Sequence, residues 1–222
     1  MKAMILAAGK GERMRPLTDR LPKALLQVAG KSLIQYQVER LVRAGITDII
    51  VNHALHGDLI EQTLGTGAAL GASLRYSREG TEALETGGGI LRALPFLGPG
   101  PFIVVNADIW TDYPYQKLAG QPQRLAHVVL VDNPPHHPAG DFALTGHGVA
   151  LSGDRRLTFG GIGAYRPELF DDCLPGTFRL SAVLRIAVSH SLVTGERYEG
   201  AWVDVGTPER LLAAEKLVQS RC

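Results

Sequence analysis

Met4-Ile5-Leu6-Ala7-Ala8-Gly9-Lys10-Gly11-Glu12-Arg13-Met14-Arg15-Pro16-Leu17-Thr18, continued by Asp19-Arg20-Leu21-Pro22-Lys23-Ala24-Leu25, is an apolar run, a glycine turn and a cluster of cations in that order. The apolar run Lys2–Ala8 ending at Gly9 has the length and composition of a buried strand that feeds a turn. Glycines after such a strand let backbone amides come close to an oxyanion. Arg13 and Arg15 offer planar forks that match phosphate oxygens, and Lys23 adds a compact point charge. The mixture predicts a loop for a polyphosphate. It is not a dinucleotide fingerprint, because Met14 stands where a third glycine is required and Val51-Asn52-His53 follows the second strand without an acid. Nor is it a Walker-type loop, which needs Gly-Lys-Ser/Thr.

Outward from this loop, strand and helix signals alternate. Leu33–Gly45 places Ile34, Val38, Leu41 and Val42 on one helical face and ends on a glycine. Strands are predicted at Ile46–Asn52, Ser73–Tyr76, Phe102–Val105 and Ala126–Val131. Asn133–Gly140 is rich in Pro and His and reads as a loop. Asp141–Leu151 and Leu157–Tyr165 read as strands able to run antiparallel, Leu180–Val188 as a helix and Ala201–Val205 as a last strand. Thr207-Pro208 then opens a closing helix, with threonine as N-cap and proline at the first helical position. The expected fold is α/β: a Rossmann-like, mixed, mostly parallel central sheet with helices on both faces. With no repeat or linker, residues 1–222 are expected to form a single domain.

Composition excludes several classes. A net charge of +1 gives no global field toward nucleic acid or an anionic membrane, so attraction for phosphate must be local. Cys173 and Cys222 are too few for a disulfide framework or a cysteine-built metal site. No apolar run has the length of a membrane span or a signal-peptide core. A cytoplasmic protein, monomeric or a small homo-oligomer, is expected.

Two aspartates complement the loop. Asp108 follows the strand Phe102–Val105, and Asp204 lies in Trp202-Val203-Asp204-Val205-Gly206-Thr207-Pro208. Ligand crevices of open α/β sheets form at the carboxyl ends of strands. Two carboxylates there suit Mg²⁺, leaving coordination positions for phosphate oxygens and water. His136-His137 is a poor metal pair, since adjacent residues on an extended chain point apart; exposed loop histidines are expected. Trp110 and Tyr113 suit a sugar site and internal packing about equally.

The run Leu6-Ala7-Ala8-Gly9-x-Gly11-x-Arg13-Met14-x-Pro16-Leu17-Thr18, followed by Pro22-Lys23 and later by Gly30-Lys31-Ser32-Leu33-Ile34, resembles the signature of the sugar-1-phosphate nucleotidyltransferases. The resemblance implies a GT-A-like fold in which Ala7, Ala8, Gly9 and Gly11 meet the base of a nucleoside triphosphate. It gives Arg13 and Lys23 the phosphates around the bond being formed, and Asp108 and Asp204 the metal. Base recognition falls on Glu82 and Gly87 in Glu82-Ala83-Leu84-Glu85-Thr86-Gly87-Gly88-Gly89, with Glu85 and Thr86 facing sugar or base. Asp141 and Gly161 fall where the family contacts the sugar. A Glu-Lys-Pro stretch, whose lysine meets the sugar phosphate in many relatives, is missing; Gly153-Asp154-Arg155-Arg156 stands before Leu157 instead, which leaves Arg155, Arg156, a residue from elsewhere, or Lys23 with the metal to hold that phosphate.

Within the family, Leu84-Glu85-Thr86-Gly87-Gly88-Gly89, Asn106–Tyr113, Val131-Asp132-Asn133-Pro134 and Gly140-Asp141-Phe142 are similar to the N-acetylmuramate-1-phosphate uridylyltransferases. That implies UTP and N-acetylmuramate 1-phosphate as partners, Mg²⁺ as cofactor, and no acyltransferase domain after Cys222. Arg92, Arg179 and Arg185 are candidates for the muramate carboxylate. The alternatives are a mannose-1-phosphate guanylyltransferase, a glucose-1-phosphate uridylyl- or thymidylyltransferase, and, outside enzymes, a nucleotide-sensing module.

Overall fold

In a computed structural model of the chain, residues 1–80 and 83–221 are described. The first half runs β1 (Lys2–Leu6), a short hairpin of β2 (Gln27–Val28) and β3 (Lys31–Ser32), α1 (Leu33–Arg43), β4 (Asp48–His53), α2 (Gly57–Leu64), β5 (Ser73–Arg78), α3 (Glu85–Leu97) and β6 (Phe102–Asn106). The second half runs β7 (Ile109–Thr111), β8 (Ala126–Val131), β9 (Phe142–Thr145), β10 (Gly148–Ala150), β11 (Arg156–Tyr165), α4 (Leu180–Ser189), β12 (Val193–Tyr198), β13 (Trp202–Asp204) and α5 (Pro208–Gln219).

Period-two alternation in β1 sends Ala3 and Ile5 into one core and Met4 into the other. A strand buried on both faces belongs in the middle of a parallel sheet. β1 accordingly pairs in parallel with β4 on one edge and β6 on the other, and β5 continues beyond β4. On the other side β11 runs antiparallel to both β6 and β8, and β12 pairs in parallel with β8. The main path is β12-β8-β11-β6-β1-β4-β5, with β11 the reversed strand, and the β9–β10 hairpin branches from the first residues of β11. The fold is the mixed, mostly parallel sheet that the sequence predicts.

α1 and α2 cover one face through Ile34, Val38, Leu41, Ile60 and Leu64. α3 and α4 cover the other through Ile90, Ala93, Leu97, Leu180, Leu184 and Val188. α1 begins at a capping box in which Ser32 Oγ accepts from the Gln35 amide and the Gln35 side chain meets the Ser32 amide. A third cluster packs Met14, Leu26, Val28 and Trp110 against Ala214 and Val218 of α5, fastening the N-terminal loop to the C-terminal helix. Thr207 caps α5 with Pro208 at its first position, as predicted.

Asp141–Leu151, expected as one strand, is a hairpin: Thr145 and Gly148 pair around Gly146-His147. α2, β7 and β12 carry no clear sequence signal. α2 spans 8 residues, and β12 is mostly half-exposed, so neither builds a long apolar period. Among the described residues, no helix is long and apolar enough to cross a membrane.

Candidate active site

The loop after β1, the ends of β4 and β6 and the start of α3 enclose a cleft of about 630 Å³. It lies at the carboxyl ends of the parallel strands, where an open α/β sheet binds its ligand. The segment Ala7–Met14 forms one wall. Gly11 stands at φ 66°, and a Cβ there would come within 2.9 Å of Thr18. Thr18 Oγ1 donates to the Gly11 carbonyl at 2.7 Å, closing the loop on itself. Met14 is fully buried, and this anchor leaves its neighbour Arg13 exposed in the cleft wall. Arg15 turns away, 3.5 Å from Asp19, and does not line the cleft.

Lys23 opens a single helical turn after Pro22, anchored by the buried Ala24 and Leu25. Its Nζ lies 2.5 Å from Asp108 Oδ2, with only 11% of the lysine side chain exposed. The antiparallel pairing of β7 with β13 brings Asp204 beside Asp108, although its side chain does not line this cleft: it stands opposite Ile109, and the Val205 amide donates to the Asp108 carbonyl at 2.9 Å. Asp204 Oδ2 accepts from Arg210 Nη1 at 2.5 Å. Each aspartate thus meets a cation through Oδ2, while no hydrogen bond among the described residues engages either Oδ1. No group of three or more His, Cys, Asp and Glu among the described residues makes a complete metal cage. Two hard carboxylates beside an open cleft fit a Mg²⁺ that takes the rest of its ligands from phosphate and water.

Behind the loop lies a buried polar relay that the sequence did not announce. The Ala7 amide donates to Asn52 Oδ1 at 2.9 Å, Asn52 Nδ2 donates to Glu79 Oε1 at 2.6 Å, and Glu79 Oε2 accepts from the Leu84 amide at 2.7 Å. The relay joins the ends of β1, β4 and β5 to the start of α3. A Cβ on Gly89 would come within 2.4 Å of Glu79 Oε1, so that glycine makes room for it.

The other sequence-nominated residues divide. Glu85 and Thr86 line the cleft. Glu85 sits at φ 59°, left-handed for a non-glycine residue, with Arg179 3.6 Å away. Thr86 Oγ1 accepts from the Leu180 amide at 2.8 Å, holding the start of α4. Gly87 does not line the cleft: its amide donates to the Phe178 carbonyl, and a Cβ would meet the Phe178 ring at 2.4 Å. Asp141 is turned to the protein, accepting from the Phe159 amide at 2.8 Å with His137 at 3.1 Å. Gly161, at φ 72°, backs onto the side chain of Asn106, which lines the cleft. Glu82 lies outside the described residues.

A second hollow, of about 620 Å³, adjoins the first and shares Arg13 with it. Pro134, Pro135, Trp202 and Val203 give it apolar walls, while His136, Asp204 and Arg210 bring charge and hydrogen-bonding groups. Asp132 at its margin is held below the usual carboxylate range by hydrogen bonding to Arg197. The aromatic wall is Trp202, whose Nε1 donates to the Gly160 carbonyl at 2.8 Å. Trp110 and Tyr113 are buried packing residues: Arg40 lies over the Trp110 ring at 4.6 Å, and the Tyr113 hydroxyl donates to Glu196. His136 and His137 take different partners, Arg210 and Asp141, as neighbours that point apart must. Arg92, Arg179 and Arg185 line neither hollow.

Comparison with known proteins places this geometry in context. The nucleotidyl transferase family model matches residues 2–155. The chain is 49% identical to the N-acetylmuramate alpha-1-phosphate uridylyltransferase of Neisseria meningitidis serogroup B, with 98% of each chain covered. It is 38% identical to the protein of the same name from Caulobacter vibrioides, covering 96% of this chain and 95% of that one. The structure of a UDP-glucose pyrophosphorylase with UDP-glucose superposes with a TM-score of 0.81 at 20% identity over 100% of this chain and 99% of that one, a likeness of fold.

Proposed function

Since the chain belongs to the nucleotidyl transferase family, we propose that it joins UTP to N-acetyl-α-D-muramate 1-phosphate, giving UDP-N-acetylmuramate and pyrophosphate, in the recycling of peptidoglycan. The observation that carries the reaction class is the convergence of Arg13 and the Lys23–Asp108 pair on one cleft at the carboxyl ends of the sheet, with Asp204 of the adjoining hollow brought beside Asp108 by the pairing of β7 with β13. The identity of base and sugar is supported by the two uridylyltransferase relatives, matched over nearly their whole length.

The chemistry needs no protein nucleophile. An oxygen of the sugar phosphate attacks the α-phosphorus of UTP. The bond from that phosphorus to the α,β-bridging oxygen breaks, and pyrophosphate leaves with the electron pair. Arg13 and Lys23 hold phosphate oxygens, and the loop Ala7–Gly11 with the start of α3 receives the nucleoside. Asp108 and Asp204 would hold Mg²⁺ through their open oxygens. Such an ion would supply charge neutralisation to the reacting phosphates. Catalysis is then positioning plus electrostatic stabilisation. A cytoplasmic monomer or small homo-oligomer suits these soluble substrates.

A panel of sugar 1-phosphates and nucleoside triphosphates, read by pyrophosphate release, tests the reading. N-acetylmuramate 1-phosphate with UTP is expected to be the preferred pair. Preference for mannose 1-phosphate with GTP overturns it, and tight nucleotide binding without pyrophosphate release from any pair favours a sensor. Asp108→Ala is expected to lower turnover by roughly a hundredfold or more, about 2.7 kcal/mol. Near-normal turnover of that variant in saturating Mg²⁺ would remove Asp108 from the metal site.

A further inference from the structure

The missing Glu-Lys-Pro lysine leaves the acceptor phosphate short of a cation of its own, and neither Arg155 nor Arg156 lines either hollow. The geometry points to Arg210 as the residue that binds the phosphate monoester of the acceptor sugar, an inference that rests on the proposed function. Arg210 is a wall of the second hollow, which shares Arg13 and borders Asp204. Its guanidinium also lies across Gly206, a residue of the first cleft: a Cβ on Gly206 would come within 2.3 Å of Arg210 Nη2. The group therefore stands at the partition between the two hollows. An attacking phosphate must pass from its own pocket toward the α-phosphorus at that partition.

The guanidinium is held without being used up. Nη1 donates to Asp204 Oδ2 at 2.5 Å and to His136 Nε2 at 2.7 Å. Among the described residues, no hydrogen bond engages Nε or Nη2. These adjacent donors form the fork that grips two oxygens of a phosphate. Only 16% of the side chain is exposed, so the charge is poorly screened. The second hollow otherwise offers proline and Trp202 surfaces suited to a sugar ring, and its other arginine, Arg13, faces the triphosphate cleft as well. His136 serves here as a positioning residue, since it steadies Arg210 at the same nitrogen as Asp204 and leaves the Nε–Nη2 edge open.

The test measures KM for acceptor and for UTP separately in the wild type, Arg210→Lys and Arg210→Gln, after circular dichroism has shown that each variant is folded. Two acceptors are used: N-acetylmuramate 1-phosphate, and N-acetylglucosamine 1-phosphate, which has the phosphate and lacks the carboxylate. Arg210→Gln is expected to raise the KM of both acceptors roughly tenfold or more, with partial rescue in Arg210→Lys and little change in the KM for UTP. A rise confined to the muramate acceptor overturns the proposal in favour of a carboxylate contact. An equal rise for UTP, or no rise at all, overturns it outright. If the wild type turns over neither acceptor, the proposed function fails. Calorimetric titration with inorganic phosphate then tests Arg210 by itself: weaker binding to Arg210→Gln sustains the assignment, and equal binding overturns it.

Discussion

Asn52 shows how one side chain serves structure and site together. Its carboxamide accepts from the Ala7 amide and donates to Glu79, and it is 1% exposed. Removing it leaves a part-buried amide and a buried carboxylate oxygen without partners, which costs more than the bonds themselves contribute. Asn52→Ala is expected to destabilise the fold by about 2–4 kcal/mol and to raise KM for the nucleotide more than for the sugar phosphate. Denaturant titration and steady-state kinetics check the two parts, and an unchanged nucleotide KM separates the relay from the site. Arg13 and Lys23 are nominated at this scale by residue type and by the glycine loop that precedes them, and both line the cleft. Asn52 and Glu79 are not nominated, because an asparagine or glutamate at a strand end acquires a role only from what lies opposite.

Helix α3 makes the same point for an element. Its run Gly87-Gly88-Gly89 begins at Gly87, which the family resemblance assigns to base recognition. In the structure the glycines let other parts of the protein approach: a Cβ on Gly87 would strike the Phe178 ring, one on Gly88 the Gly176 carbonyl at 2.2 Å, and one on Gly89 the Asn52–Glu79 pair. Only Glu85 and Thr86, ahead of the glycines, reach the cleft. Helical glycine costs conformational entropy, so close packing is what it provides in return here. Gly88→Ala is expected to cost about 1–3 kcal/mol despite its better helix propensity, because a backbone carbonyl must move. Equal or greater stability in thermal unfolding would contradict the close approach. Helix α1 is the contrasting case, since its apolar face and its Ser32–Gln35 capping box depend on neighbours within the same segment, and the sequence showed that face directly.

At the scale of the whole molecule, the ends of β4, α2 and β5 are tied by Glu61, whose carboxylate meets Arg78 at 2.6 Å and His53 at 2.6 Å. Hydrogen bonding to Arg78, then to His53, lowers its pKa from the ordinary 4.5 to about 2, against the opposing effect of burial. The unfolded chain therefore binds the Glu61 proton first as pH falls. The stabilisation is complete above about pH 4.5 and is lost as pH drops toward 2. With the screening of a site near solvent, the effect is on the order of 1 kcal/mol. Global stability is expected to fall over that window in the wild type and to fall less in Glu61→Gln, as measured by denaturant titration at a series of pH values. Parallel curves would show that Glu61 contributes nothing.

The sequence by itself determined the class of sheet, the apolar face of α1 and the helix α4, and it nominated the loop after β1 that walls the cleft and the two aspartates that the structure sets side by side. These follow from local periodicity, turn residues and charge within short windows, and they need no knowledge of distant partners. Tertiary structure alone decided which groups meet. Lys23 finds Asp108 across 85 residues, and Arg210 finds His136 across 74. The pairing of β7 with β13 brings Asp204 beside Asp108. It also decided which nominated residues turn inward, as Asp141, Trp110 and Tyr113 do. The physical reason is that sheet order and strand register set the distance between remote segments, and those are fixed by the packing of the whole core rather than by any stretch of the chain.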